Sequence, residues 1–347
     1  MRISTLLDYS DGFAGAVDEI VALEKAGLDH VWVPEAYTVD AATAMGFIAA
    51  RTEKVTIGSG ILPIYTRTPS LLAMTAAGLD QLSGGRAVLG LGASGPQVIE
   101  GFHGVPYDAP VARISEIIDI CRSVWRREAL VHEGDLYRVP LPPEAGTGLG
   151  KPLKIIGRMT RDRIPIVVAG LGPKSVELTA AKADGWLPAF FVPEHSGTIW
   201  GQALARGQAN REVDLGELEV YAGGLVAIGD GMESARDLAR PQVALYVGGM
   251  GARGKNFYND LFVAMGYGKE AAEVQDLYLS GRKEEAEAAI PDEYLELGNL
   301  CGSETFVADR IDAYRAAGVT TLNVLFTGRT AEERVAQCRL LARMAKG

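Results

Sequence analysis

Residues 55–92 read VTIGSGILPIYTRTPSLLAMTAAGLDQLSGGRAVLGLG, and this stretch decides the fold. The run Val55 to Ile61 predicts a buried strand, since it is apolar or glycine with little polar alternation. Pro69 suits the first turn of a helix, which its small and apolar successors carry to Leu82. Arg86 to Leu91 is a second apolar run, hence a second strand. Two strands apolar along their length, joined by a helix, belong in a parallel sheet covered by helices, because such a sheet is buried on both faces.

The same unit repeats outward in both directions. Upstream, Ile3 to Asp8 predicts a strand, Phe13 to Lys25 a helix stopped at Gly27, and His30 to Pro34 the next strand; Asp40 then caps an alanine-rich helix reaching Ala50. Downstream, Val111 to Arg127 predicts a long amphipathic helix and the segment around His132 to Val139 a hairpin. Residues 140–163 read as a loop insertion. Strands follow at Ile164 to Ala169, Trp186 to Phe191 and Glu219 to Ile228, with a helix from Lys174 to Ala183. Residues 248–300 read as a longer, mainly helical insertion, and Ser303 to Ala317 and Thr321 to Phe326 give the last helix and strand. Eight strands without a break in composition predict an α/β fold, a single (β/α)8 TIM barrel spanning residues 1–347, with both insertions over its C-terminal face. The first and last strands must then pair. An open doubly wound sheet is the alternative.

Composition narrows the function classes. The chain has 347 residues, 48 % hydrophobic and 22 % charged, which is enough to bury a large core. A formal net charge of −10 argues against a nucleic-acid binder, although a local basic pocket could still hold an anionic cofactor. Cys121, Cys301 and Cys338 are too scattered for a disulfide framework or a metal site, and the histidines show no ligand spacing, so no metal is expected. No apolar run is long enough to span a membrane, and the chain enters its first strand without a leader pattern; a cytoplasmic enzyme with a small-molecule substrate is expected, as a homodimer.

In a barrel the chemistry sits at the C-terminal ends of the strands. That rule selects Asp8, Glu35, Tyr37, Ser59, Gly60, Tyr65, Thr66, Gly92, Ser94 and Gln97. Gly58 and Gly60 at a strand end would let a flat ring lie against the backbone, though an ordinary strand-to-helix loop reads the same way. Gly170, Leu171, Gly172, Pro173 and Lys174 open a helix, where unpaired N–H groups, the helix dipole and a lysine could hold an anion. A tight turn is the alternative there, since the dinucleotide spacing Gly-x-Gly-x-x-Gly is missing. Glu35 and Asp8 are candidate acids or bases, on the argument that burial beside an apolar ring raises a carboxyl pKa. Solvated loop carboxylates are the plainer reading. His103, between Phe102 and Gly104, is a candidate substrate contact or a simple loop residue.

Taken together, Gly58-Ser59-Gly60-Ile61, Tyr65 to Pro69, Gly84 to Gly92, Gly170 to Lys174 and Ala183-Asp184-Gly185-Trp186 resemble the bacterial luciferase-like superfamily. Within it the chain is similar to the oxidoreductases that use the deazaflavin coenzyme F-420, such as methylene-tetrahydromethanopterin reductase and the F-420-dependent alcohol dehydrogenase. The resemblance covers essentially the whole chain. It implies a cis peptide at Gly60-Ile61 beneath the deazaflavin ring and a coenzyme phosphate at Gly170 to Lys174. It also implies a ring and substrate border at Gly92, Ala93, Ser94 and Gln97. Family members often carry an acidic residue followed by histidine after the second strand, whereas this chain has Glu35-Ala36-Tyr37 and lacks the histidine. The implied activity is hydride transfer at C5 of coenzyme F-420. An FMN-dependent monooxygenase on the same barrel is the first alternative, and a barrel that binds a cofactor without catalysis the second.

Overall fold

A computed structural model describes residues 1–9, 12–251 and 253–347. The strands are β1 (Arg2–Leu6), β2 (His30–Val33), β3 (Thr56–Ser59), β4 (Leu62–Pro63), β5 (Ala87–Gly92), β6 (His132–Glu133), β7 (Arg138–Val139), β8 (Ile166–Ala169), β9 (Gly185–Trp186), β10 (Glu219–Ala222), β11 (Leu225–Ile228), β12 (Leu300–Gly302) and β13 (Thr321–Phe326). The helices used below are α1 (Phe13–Ala26), α2 (Ala41–Arg51), α3 (Pro69–Ser83), α4 (Pro96–Gly101), α5 (Pro110–Trp125) and α6 (Pro173–Lys182). Strand neighbours run β1, β2, β3, β5, β8, β9, β10, β13, and β13 pairs back to β1. That order closes a parallel eight-stranded barrel, with the first and last strands paired as expected, and excludes the open sheet.

The chain divides into two compact units: one holds Ser4–Ala189 and Ala203–Tyr221, the other Met1–Ile3, Phe190–Gln202 and Ala222–Gly347. In the first, the interior cluster is Trp32, Val88, Val167 and Tyr221, with Leu6 and Leu187 against it. The Tyr221 ring meets the Trp32 indole edge-on at 5.0 Å, the geometry aromatic quadrupoles favour. Helix starts follow the sequence chemistry. Asp40 accepts from Thr43 N at 2.8 Å, and Thr68, just before Pro69, accepts from Leu71 N at 3.3 Å.

Several boundaries differ from the sequence reading. The strand expected at 186–191 is only Gly185–Trp186, and the helix Pro193–Ala209 follows it; three glycines dilute that helix's signal. The strand expected at 219–228 is two, β10 and β11, divided at Gly223-Gly224. Backbone crowds both glycines: a Cβ on Gly223 would lie 2.5 Å from Asn323 O, and one on Gly224 2.0 Å from Gly298 O. The short β12, which starts at the last residue of the expected insertion 248–300, pairs parallel with β11. The hairpin at 132–139 is present as β6 and β7.

The insertion 140–163 does not lie wholly over the C-terminal face. It connects α5 to β8, an α-to-β connection, and its end returns to the opposite edge of the sheet. There Arg161 donates Nε to both Asp80 oxygens at 3.1 Å and Nη2 to the carbonyl of Ala87, the first residue of β5.

The second unit is built on β11, β12 and β13 with the helices around them. Inside its longer insertion, Phe262, Tyr267 and Tyr294 form a buried aromatic cluster, with Phe262 and Tyr294 centroids 4.5 Å apart. Beside it, Arg310 grips Glu194 with both terminal guanidinium nitrogens. Among the described residues no helix is long and apolar enough to cross a membrane.

Candidate active site

The site grows from a mismatch between β3 and its neighbour. Gly58 pairs with Val88 and Leu62 with Leu91, so four steps along one strand face three along the other. One extra residue therefore bulges out at Ser59-Gly60-Ile61. The peptide Gly60-Ile61 is cis, as the resemblance implies. The bulge presses its backbone onto β5, where a Cβ on Gly90 would stand 1.7 Å from Ser59 O and one on Gly92 2.8 Å from the Ile61 side chain. Those glycines in Gly90-Leu91-Gly92 make the bulge possible.

Ser59 is fully buried, and its Oγ donates to Gly90 O at 2.8 Å and accepts from Gly90 N at 2.9 Å. Both capacities of the hydroxyl are used inside the sheet. Ser59 therefore pins the bulge, and the expectation that it touches the cofactor is corrected. Beside the bulge, β5 pairs with β8 so that Gly92 stands opposite Ala169. Gly60, Ile61, Ala93, Ala169, Gly170, Leu171 and Gly172 are all partly exposed. Three adjacent strands thus end in a surface mostly of glycine and alanine, with Ile61 and Leu171 among them.

At one end of this floor Gly170 is anchored by Trp186, whose Nε1 donates to Gly170 O at 2.7 Å. Helix α6 starts just beyond, with Gly172 at the N-cap, no side-chain cap and Pro173 in the first turn. Its leading N–H groups lack a capping acceptor, so the helix dipole is uncompensated there. Lys174 in that turn is exposed and forms no ion pair among the described residues.

At the other end stands a charge cluster. Arg67 Nη1 donates to Glu35 Oε1 at 2.5 Å and Nη2 to Glu35 Oε2 at 2.9 Å, while Ala41 N adds a bond to Oε2 at 2.7 Å. Arg67 also reaches Asp40. Hydrogen bonding to Glu35 comes first among the causes that lift the Arg67 pKa above its ordinary value, despite burial pulling the other way. The surroundings expected of Glu35 are corrected: its carboxylate does not lie against an apolar surface but in a bidentate guanidinium fork, which holds it in place.

Tyr65 and Thr66 are also turned to structural tasks. Thr66 Oγ1 donates to Pro63 O at 3.1 Å. Tyr65 donates to Asp108 O at 2.8 Å, packs on Tyr107 at 5.1 Å and carries the Arg113 guanidinium over its ring at 5.5 Å. Burial, with Tyr107 next, pushes the Tyr65 pKa up to about 12, so the phenol stays neutral near pH 7. Ser94 follows the floor directly and holds a left-handed backbone, φ 59°. Its carbonyl faces the Tyr107 hydroxyl at 3.5 Å. Gln97 and Asp8 are exposed, and His103 is partly buried, with Nε2 taking no hydrogen bond among the described residues. Tyr107 and Arg113 gave no signal in the sequence. Arg67 stood inside a quoted motif, but nothing there pointed to Glu35.

With this geometry in hand, similarity becomes informative. A family model described as luciferase-like monooxygenase matches residues 1–321. The chain belongs to that family. A putative coenzyme F-420-dependent oxidoreductase of Mycobacterium tuberculosis is 42 % identical over 318 residues, 90 % of each chain. The 5,10-methylenetetrahydromethanopterin reductase of Archaeoglobus fulgidus is 26 % identical over 304 residues, 86 % of this chain and 85 % of the relative. Among solved structures, the coenzyme F-420-dependent tetrahydromethanopterin reductase of Methanopyrus kandleri superposes with a TM-score of 0.81. It covers 99 % of this chain and 98 % of its own at 20 % identity, a likeness of fold.

Proposed function

We propose that this luciferase-like chain is a coenzyme F-420-dependent oxidoreductase, moving a hydride between the coenzyme and a small organic substrate. The observation that carries the reading is the floor at Gly60-Ile61, Gly92-Ala93 and Ala169-Gly170. It is a surface with few large side chains at the C-terminal ends of three neighbouring strands, partly exposed except at the buried Gly92. A flat tricyclic ring fits such a surface, and the uncapped start of α6 with Lys174 suits the phosphate that such a coenzyme carries. The name of the 42 % identical relative supports the same coenzyme.

When bound, the 8-hydroxy-5-deazaflavin supplies hydride chemistry at its C5 carbon. The chain's own residues bind and orient. Gly170 to Gly172 and Lys174 hold the phosphate; the bulge, kept in shape by Ser59, sets the height of the ring; Arg67 fixes Glu35 and the loop after β2. Ser94 borders the floor where substrate would meet the ring, with Gln97 and His103 on the same side and Asp8 at the mouth.

FMN has a flat ring and a phosphate too, and the family model's description favours it as the second reading. Titrating the protein with F-420 and, separately, with FMN, followed by cofactor fluorescence, decides between them. Saturable binding of F-420 but not FMN is the expected result, and the reverse would make the protein an FMN enzyme. Binding of neither would leave the floor without a flavin-type occupant and overturn both readings.

A further inference from the structure

We infer that Tyr37 and Phe102 form an aromatic cover across the C-terminal end of β3, screening a planar ring bound on the Gly60-Ile61 bulge from bulk water. The inference rests on the coenzyme reading above and adds two residues that it does not use. Tyr37 lies in the loop after β2, and Phe102 follows α4, the short helix after β5. In the sheet β3 stands between β2 and β5. Strands two apart are separated by roughly 10 Å, yet the two ring centroids are 6.1 Å apart. The side chains therefore reach toward each other past the strand that carries the bulge.

Both rings are 65 % exposed, an unusual state for large apolar groups that touch across two loops. Core packing does not account for them, and each leaves ring surface free. Their supports are firm. Tyr9, from the segment after β1, donates its hydroxyl to Pro34 O at 3.2 Å and bonds Thr38 Oγ1 at 2.6 Å, holding the loop on either side of Tyr37. Phe102 is backed edge-on by His103 at 5.1 Å, and both of their backbone N–H groups bond to Val98 O. Hydride transfer is favoured where water is kept from the reacting ring. The floor lacks side chains that could do this, so the cover must come from loops, and these two rings are placed to supply it.

The test uses bound F-420 as its own probe, with acrylamide as a collisional quencher of its fluorescence. Wild type, the Tyr37→Ala/Phe102→Ala double variant, the ring-keeping Tyr37→Phe variant and an exposed control, Leu82→Ala, are each saturated with F-420 and quenched. The double variant should show a clearly larger quenching constant, with an F-420 Kd raised roughly 2- to 10-fold, the scale of one lost aromatic contact. Tyr37→Phe and Leu82→Ala should match wild type. Equal quenching in the double variant and wild type, with F-420 bound in both, overturns the cover while leaving the coenzyme reading intact. Failure of wild type to bind F-420 overturns the coenzyme reading, and the cover with it.

Discussion

The two edges of the parallel sheet in the first unit are built on opposite rules. At the N-terminal edge the charged side chains are heavily hydrogen-bonded. Arg86 alone donates to Ser83 O, Val55 O, Ala49 O, Thr52 O and Thr52 Oγ1 at 2.7–3.1 Å. Asp80, 1 % exposed, is forked by Arg161, and Asp184 takes Arg163 and Ile166 N. At the C-terminal edge the strands end in glycine and alanine, α6 starts without a cap, and Lys174 stands without an ion pair among the described residues. One edge satisfies its own groups; the other leaves donors and space for something else. Conserving stability at one end frees the other for binding, the division of labour a barrel permits.

The sharpest way to break this contrast is to damage the saturated edge. Asp80→Ala should lower unfolding stability by about 3 kcal/mol, since it strands a guanidinium that is only partly exposed. It should leave the F-420 Kd unchanged. Thermal or urea unfolding beside a fluorescence titration checks both halves, and a large loss of affinity would erase the distinction between the edges.

Gly90→Ala attacks the site through its support. The new methyl would collide with Ser59 O, and overpacking of that kind costs roughly 2 kcal/mol. Here affinity should fall along with stability, because the bulge cannot keep its shape. Retention of wild-type F-420 binding by this variant would mean the bulge does not set the ring's position.

Lys174→Ala should do the reverse of Asp80→Ala. Its unfolding midpoint should stay put while coenzyme binding weakens by about 1.5 kcal/mol, a little over tenfold in Kd. Equal dissociation constants would place the phosphate elsewhere.

The smallest effect concerns acid. Burial opposes ionisation of Asp40, but hydrogen bonds from Thr43 and the charge of Arg67 outweigh it, and its pKa is lowered. A depressed carboxyl contributes stability above its unfolded pKa and loses it as pH falls through the folded one. Asp40→Asn should therefore be less stable than wild type at pH 7 by under about 1 kcal/mol, as suits an exposed pair and a cap. The gap should close as pH drops below about 4. A gap that widens in acid would show that Asp40 is not ionised in the folded chain.

How far the sequence could be read follows from the range of the interactions involved. Strands such as His30–Val33 and Ala87–Gly92 announced themselves because a strand buried on both faces is apolar at nearly every position. The cap at Asp40 and the helix opening at Pro69 were equally local. Gly58, Gly60 and Gly92 marked strand ends, and the Gly170 to Lys174 turn marked a helix start, since small residues at such places are visible without knowing their neighbours.

What only the tertiary structure decided is what each side chain faces. Glu35 and Arg67 are 32 positions apart, and no spacing rule says that one will grip the other, yet that contact sets where the Glu35 carboxylate stands. Ser59 lost its place at the cofactor to Gly90, 31 positions away. The close approach of Asn323 and Gly298 to the two glycines that divide 219–228 is likewise set by residues distant in sequence. Chain order fixes covalent neighbours and burial periodicity, which specify the strands and helices. Hydrogen-bond partners and close backbone approaches are chosen by the closure of the barrel, and with them the chemistry each residue can perform.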